Sequence, residues 1–115
     1  TMIDKLYALG DYYLTGTING HSRHIYDICR LLEIVEIDDE LKQLKEQVRI
    51  ERKSDKQCPS ANDGVNFKAL LGEIIKKEAY RSDYENITFA LLFEKLSYDD
   101  AVTALEKILN SKLFD

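Results

Sequence analysis

Phe67-Lys-Ala-Leu-Leu-Gly-Glu-Ile-Ile75 is the stretch that decides the fold. Its apolar residues fall at 67, 70, 71, 74 and 75, the three-and-four spacing that gathers side chains on one face of an α-helix rather than the alternation of a half-buried strand. The spacing predicts a helix strongly apolar on one side, and it places that helix at the centre of the core. Downstream, Ser82-Asp-Tyr-Glu85 and Ser97-Tyr-Asp-Asp100 each set a hydroxyl three residues before an acid, the spacing of a capped helix start. They open helices carrying Ile87, Leu91 and Leu92, then Ala101, Val102, Leu105, Ile108 and Leu109.

Upstream, Ser54 to Gly64 collects the only proline with serine, asparagine, aspartate and glycine, and is the one long loop. Before it, Asp38 and Asp39 put acids where a helix dipole favours them, and Leu41, Leu44 and Val48 carry one face to about Arg52. Ser22 is placed to cap a helix with Ile25, Ile28, Leu32 and Val35 on one side, ending near Ile37. Thr1-x-x-Asp4 has the same capping spacing, and Ile3, Leu6, Tyr7 and Tyr13 or Leu14 return at helical intervals from Met2 to Leu14. Thr15-Gly16-Thr17 and Asn19-Gly20 then stop the helix and turn the chain. The expectation is an all-α fold, a compact bundle of five or six helices forming one domain over residues 1–115, with no strand and no internal repeat.

Bulk properties narrow the function classes. The 44% hydrophobic content of these 115 residues suffices for an ordinary core, and 32% charged residues suit a soluble protein. No apolar run approaches the roughly 18 residues that span a bilayer, and Thr1 to Leu14 mixes acids, a lysine and tyrosines unlike a signal peptide, so no membrane contact and a cytoplasmic setting are expected. Two cysteines, Cys29 and Cys58, are read as reduced thiols rather than a disulfide framework. A net charge of −5 weighs against a free-standing nucleic-acid binder, although local distribution also counts.

That distribution is uneven. Lys42, Lys45, Arg49, Arg52, Lys53 and Lys56 fall within roughly 100° of arc if the third helix runs that far. They form either a solvated face or a rail for the phosphates of an RNA. His21-x-x-His24 beside Cys29 falls short of the four convergent ligands a zinc site takes, so no metal site is expected and Cys29 reads as small core filler. Tyr7, Tyr12, Tyr13 and Tyr26 can pack between helices or stack on a base.

Lys5 and, four apart on the next helix, Arg23 and Asp27 are the candidates for chemistry. Arg23 and Asp27 share a helix face, and taken alone such a pair is a surface ion pair worth roughly 0.2 to 0.5 kcal/mol. The longer strings Asp4-Lys5-Leu6-Tyr7-Ala8-Leu9 and Arg23-His24-Ile25-Tyr26-Asp27-Ile28 give them more weight. Together they resemble the third and fourth motifs of the AbiEii/AbiGii toxin family, bacterial nucleotidyltransferases of type IV toxin-antitoxin and abortive-infection systems. In that family a lysine in an E-K-x-x-A-L-like helix precedes an R-D-x-Y-D-L-like helix. The resemblance extends through Ser82-Asp-Tyr-Glu-Asn-Ile87 and Leu91-Leu-Phe-Glu-Lys-Leu96 to the final helix.

What it implies is transfer of a nucleotide from an NTP to an acceptor such as a transfer RNA end, with Mg and NTP as cofactors of the intact enzyme. Lys5 and Asp27 are then catalytic, and Arg23, with Lys42, Lys45, Arg49, Arg52 and Lys53, substrate-binding. It further implies a cognate antitoxin and an N-terminal nucleotidyltransferase domain. The glycine turn and D-x-D-like pair of that domain have no match here, so this chain alone is expected to be inactive and to hold no cofactor. His24 stands where the family often has an acid, and no role of that acid carries over. The rival reading is a small helical interaction protein, immunity- or antitoxin-like, binding a basic partner through its acidic surface.

Overall fold

A computed structural model describes residues 1–115, and it is all helix and connection, without a strand. The helices are α1 (Met2–Thr15), α2 (Arg23–Leu32), α3 (Asp39–Arg52) and α4 (Phe67–Lys76). Next comes α5, a continuous helix of three pieces, Arg81–Asp83, a π turn Tyr84–Thr88 and Phe89–Leu91. The last is α6 (Tyr98–Leu109). This is the expected all-α bundle, with a Cα radius of gyration of 13.4 Å, close to the roughly 13 Å of a compact domain of this length. No helix is long and apolar enough to cross a membrane.

Four helix starts are capped by a side chain, two of them, at Thr1 and Ser97, as their spacing predicts. Thr1 accepts from the Asp4 amide at 3.3 Å while the Asp4 carboxylate takes the N-terminal amine, a closed capping box. Asp38, Asn66 and Ser97 accept from the amides of Leu41, Ala69 and Asp100 at 2.9, 3.1 and 3.1 Å. Gly16 ends α1 in the left-handed conformation, φ 70°, as a glycine best can.

Two expected caps are otherwise engaged. Ser22 is itself helical, and its hydroxyl bonds Thr88 at 2.7 Å instead of an amide of α2. Ser82 lies inside α5, where it accepts from the Asn86 side chain at 3.2 Å. The second helix also stops at Leu32, not near Ile37. Beyond it Ile34 and Glu36 are exposed while Val35 and Ile37 pack on the core, an alternation of two. Alternation sends both inward, and the β-branched residues Ile34, Val35 and Ile37 lose little by leaving the helix.

α1, rather than α4, is the hub. α4 buries one face, Phe67, Leu70, Leu71 and Ile74, and touches α1 and α6. α1 touches α2, α3, α4 and the 3-10 turn Pro59–Ala61, and buries Met2, Ile3, Leu6, Tyr7 and Leu9. The tightest approach is at Gly10, where a Cβ would lie 2.9 Å from both the Phe67 ring and Ser60 Cβ. Beside it the buried Asp11 accepts from the Ser60 amide at 2.9 Å and from Arg52 Nη2 at 2.9 Å. The Ser60 hydroxyl lies 2.6 Å from the same carboxylate and 2.9 Å from the Tyr7 carbonyl. One carboxylate thus fastens α3 and the long loop to the hub, satisfying groups that burial would otherwise penalise.

Gly10→Ala tests that contact. Filling the gap costs about 1–3 kcal/mol of overpacking against about 1 kcal/mol gained in helix propensity, a net loss near 1 kcal/mol. Thermal denaturation should therefore show a melting temperature lower by about 5 °C. An unchanged or higher value would mean that α4 and the loop do not need the missing side chain.

Candidate functional site

α1 and α2 are joined by the short connection 16–22, which folds them against one another. Lys5 stands one turn into α1 and Asp27 one turn into α2, and across the interface Lys5 Nζ donates to Asp27 Oδ2 at 3.3 Å. Arg23 Nε lies 3.8 Å from the other oxygen, Oδ1, as the spacing of four requires. Lys5 and Asp27 side chains are 30% and 28% exposed, so the pair sits at the surface, neither sealed in nor fully solvated. Two cations around one carboxylate leave an open site of net positive charge, suited to an anionic ligand. The structure thus brings together Lys5, Arg23 and Asp27.

Flat rings border the site. Tyr12 of α1 stacks on His21 with centroids 3.6 Å apart and planes 7° from parallel, and His24 lies parallel to Tyr12 at 5.9 Å. His24 Nδ1 is buried without a partner. Burial holds the His24 pKa below its ordinary value, and the positive charge of Lys5 adds to this while Asp27 opposes it, so the ring is neutral at pH 7. Tyr26 of α2, partly buried against the core, has two guanidinium groups near its ring, Arg23 at 5.7 Å and Arg30 at 5.4 Å from the ring centre. Of the four tyrosines, Tyr7 is buried in the core against Phe67, and Tyr13 donates to Glu73 at 2.6 Å.

The basic residues of α3 are placed differently. Arg49 bonds Glu46 and Asp63, each at 2.6 Å, Arg52 bonds Asp11 and Asp4, Lys53 pairs with Asp63 at 3.5 Å, and Lys45 with Glu46 at 3.6 Å. Only Lys42 and Lys56 of the six have no carboxylate within ion-pair distance. The stripe is largely neutralised within the chain, and its two arginines hold α3 in place. No group of three or more histidine, cysteine or carboxylate side chains converges as a metal seat, and Asp27 already faces two cations, so the residues here do not fit a Mg site of their own. Cys29 and Cys58 are both free and half-buried.

One residue that fixes the site is illegible in the pattern. Asp83, buried in α5, accepts from the backbone N–H of Gly20 at 2.8 Å and of Ser22 at 3.1 Å, clamping the connection that leads into α2. Thr88 holds the Ser22 hydroxyl from the same helix. Residues five apart are about 140° from each other on an α-helix, and it is the wider π turn between them that brings both to one side. The only cue in the sequence is that two polar residues flank the apolar Tyr84, and Ser82-Asp-Tyr-Glu85 reads first as a cap.

The chain matches no known family model, no curated protein and no solved structure.

Burial pushes the Asp83 carboxyl up, but the hydrogen bonds from Gly20 and Ser22 together outweigh it and hold the pKa below its ordinary 3.8. A carboxylate depressed on folding contributes stability above its unfolded pKa, and that contribution is lost as pH falls through the lower, folded value. Asp83→Asn should therefore lower the urea midpoint at pH 7, and the gap to wild type should close as pH drops below about 4. A gap that stays constant from pH 7 to pH 3 would remove the charge from this account of the clamp.

Proposed function

We propose that this chain is the helical, lysine- and aspartate-bearing part of a nucleotidyltransferase of the AbiEii/AbiGii type, which transfers a nucleotide from an NTP to an acceptor, with transfer RNA as the acceptor class. One observation supports this above the others. Lys5 and Asp27, chosen from two motifs 22 residues apart, meet at 3.3 Å on an open surface, with Arg23 on the same carboxylate. A surface pair between arbitrary neighbours carries no such expectation from the sequence.

Nucleotidyl transfer moves negative charge onto the departing pyrophosphate. An ammonium fixed beside the triphosphate stabilises that charge as it develops, and Lys5 is the group for it. Asp27 is a positioning residue in this scheme, holding the ammonium of Lys5 at one oxygen and Arg23 at the other. Arg23, more exposed than either, has donors left for a phosphate oxygen. Metal ions and the residues that bind them belong to an N-terminal domain in this proposal, since the carboxylates here do not form a seat for one.

A second reading draws on a different surface. Leu91 is 72% exposed and Phe93 fully so, at the end of α5, with Ile87 and Phe89 nearby in sequence. Such a patch suits a helical interaction module of the immunity or antitoxin kind, for which Lys5 and Asp27 are merely a brace.

The two separate in one experiment. The protein encoded by the whole reading frame around this chain is incubated with radiolabelled NTPs, Mg and transfer RNA. We expect label in the RNA, and a loss of about 100-fold or more for Lys5→Ala and for Asp27→Ala with the circular dichroism spectrum unchanged. Transfer that survives both substitutions, or a reading frame with neither a glycine turn nor a D-x-D-like pair, rejects the proposal.

A further inference from the structure

The parallel rings beside Lys5 border a cleft that the pair itself does not use. The cleft has a volume of about 440 Å³ and runs between α1 and the start of the long loop, with Ala8, Tyr12, Thr15, Arg52, Lys56 and Gln57 among its walls. That volume is within the range of small-molecule sites. Three properties of the walls narrow what fits.

The first is a flat apolar shelf. The separations among Tyr12, His21 and His24, 3.6, 5.9 and 6.4 Å, form a triangle close to right-angled at Tyr12. His21 therefore covers one face of Tyr12, while His24 lies beside it in nearly the same plane, within 13°. Tyr12 lines the cleft and His21 does not, and the face of the tyrosine opposite His21 is left uncovered by that ring. A shelf backed by one stacked ring and extended sideways by another is a platform for a third planar ring.

The second is an edge of polar groups. The Gln57 side-chain amide makes no hydrogen bond within the protein and offers both donor and acceptor. The hydroxyls of Thr15 and Thr17, 2.7 Å apart, stand on the α1 side of the same cleft. The third is charge. Lys56, at the wall, has no carboxylate within ion-pair distance, Asp55 of the same cleft included, and is available to a phosphate.

We propose that this cleft binds a nucleobase, stacked on Tyr12 with its polar edge toward Gln57 and its phosphate toward Lys56. The proposal rests on the nucleotidyltransferase reading and deepens it. Lys5, Ala8 and Tyr12 lie on one face of α1, three and then four residues apart, so Tyr12 is about 10 Å from Lys5 along the helix axis. A base on the shelf keeps its own sugar and phosphate within reach of the Lys5 and Asp27 pair. Donor NTP and acceptor RNA both carry such a base, and the test distinguishes them.

The chain is titrated without metal with adenosine, cytidine, ATP and single-stranded tetra-adenylate, followed by amide and aromatic NMR shifts. We expect ring-current shifts at Tyr12, Thr15 and Gln57 with at least one nucleoside, unchanged affinity in Tyr12→Phe, and a dissociation constant about ten-fold higher in Tyr12→Leu. Tighter binding of tetra-adenylate than of ATP assigns the shelf to the acceptor, and the reverse assigns it to the donor. Should Tyr12→Leu not fold, Gln57→Ala serves in its place, since that side chain is exposed and bonds nothing in the protein, and it is expected to weaken binding several-fold. Shifts confined to Lys5, Arg23 and Lys56 with ATP and none with nucleosides overturn the proposal, as does affinity indifferent to both Tyr12→Leu and Gln57→Ala. Either result leaves transfer by Lys5 and Asp27 standing, whereas nucleoside binding without any transfer by the longer protein separates the two in the other direction.

Discussion

Everything in this bundle is arranged around a carboxylate in the wall of its central helix. Asp11 sits on the stripe that also carries Ile3 and Tyr7, and it is as buried as they are. A lone charge there would cost several kcal/mol, so the fold must bring donors to it. It does so from two directions, the guanidinium of Arg52 at the end of α3 and the amide and hydroxyl of Ser60 in the long loop. Gly10, next in sequence, removes the side chain that would keep the loop and α4 away. Adhesion of the apolar faces is general, whereas this meeting point sets which loop residue and which turn of α3 belong against α1.

A second carboxylate does for function what the first does for packing. Asp83 has no part in the core stripe of its helix. It reaches back about sixty residues to hold two backbone donors, Gly20 and Ser22, in the α1–α2 connection. Since α2 leaves directly from those donors, its first turns, with His24 and Asp27, are placed by α5. The open pair of Lys5 and Asp27 thus depends on a buried hydrogen-bond clamp, and its geometry is set by groups that never touch a ligand.

How much of this the sequence disclosed follows from the range of each interaction. Helices α1, α3, α4 and α6 were legible because caps and apolar periodicity are local, written within a few residues of the start they control. The end of α2 was not, because Ile34, Val35 and Ile37 satisfy both a helical and an alternating pattern, and only packing chooses between them. Ser22 and Ser82 fit the capping rule and yet bond elsewhere, since a hydroxyl takes whichever partner the tertiary structure offers. Lys5, Arg23 and Asp27 were identified by resemblance and spacing, and they do come together. Apart from Glu46, three residues before Arg49, the carboxylate partners of Arg49, Arg52 and Lys53 were invisible, for they come from residues 10 to 48 positions away. A stripe of like charge on a helical wheel says nothing about what faces it.

The π turn of α5 carries a consequence for how sequences of this type vary in length. Its five residues occupy what is in effect one turn with a residue to spare. Deleting any one of them would restore regular α-helical hydrogen bonding and so improve the segment considered by itself. With Thr88 itself kept, the residues beyond the deletion would hold their faces, because Thr88 would then follow Asp83 at a spacing of four, about 40° away on a regular helix, and Leu92 would stay turned to the core. The irregular turn thus absorbs one residue without changing which side chains face the core, and it is the point of α5 where a chain of this design can gain or lose a residue at least cost to its packing.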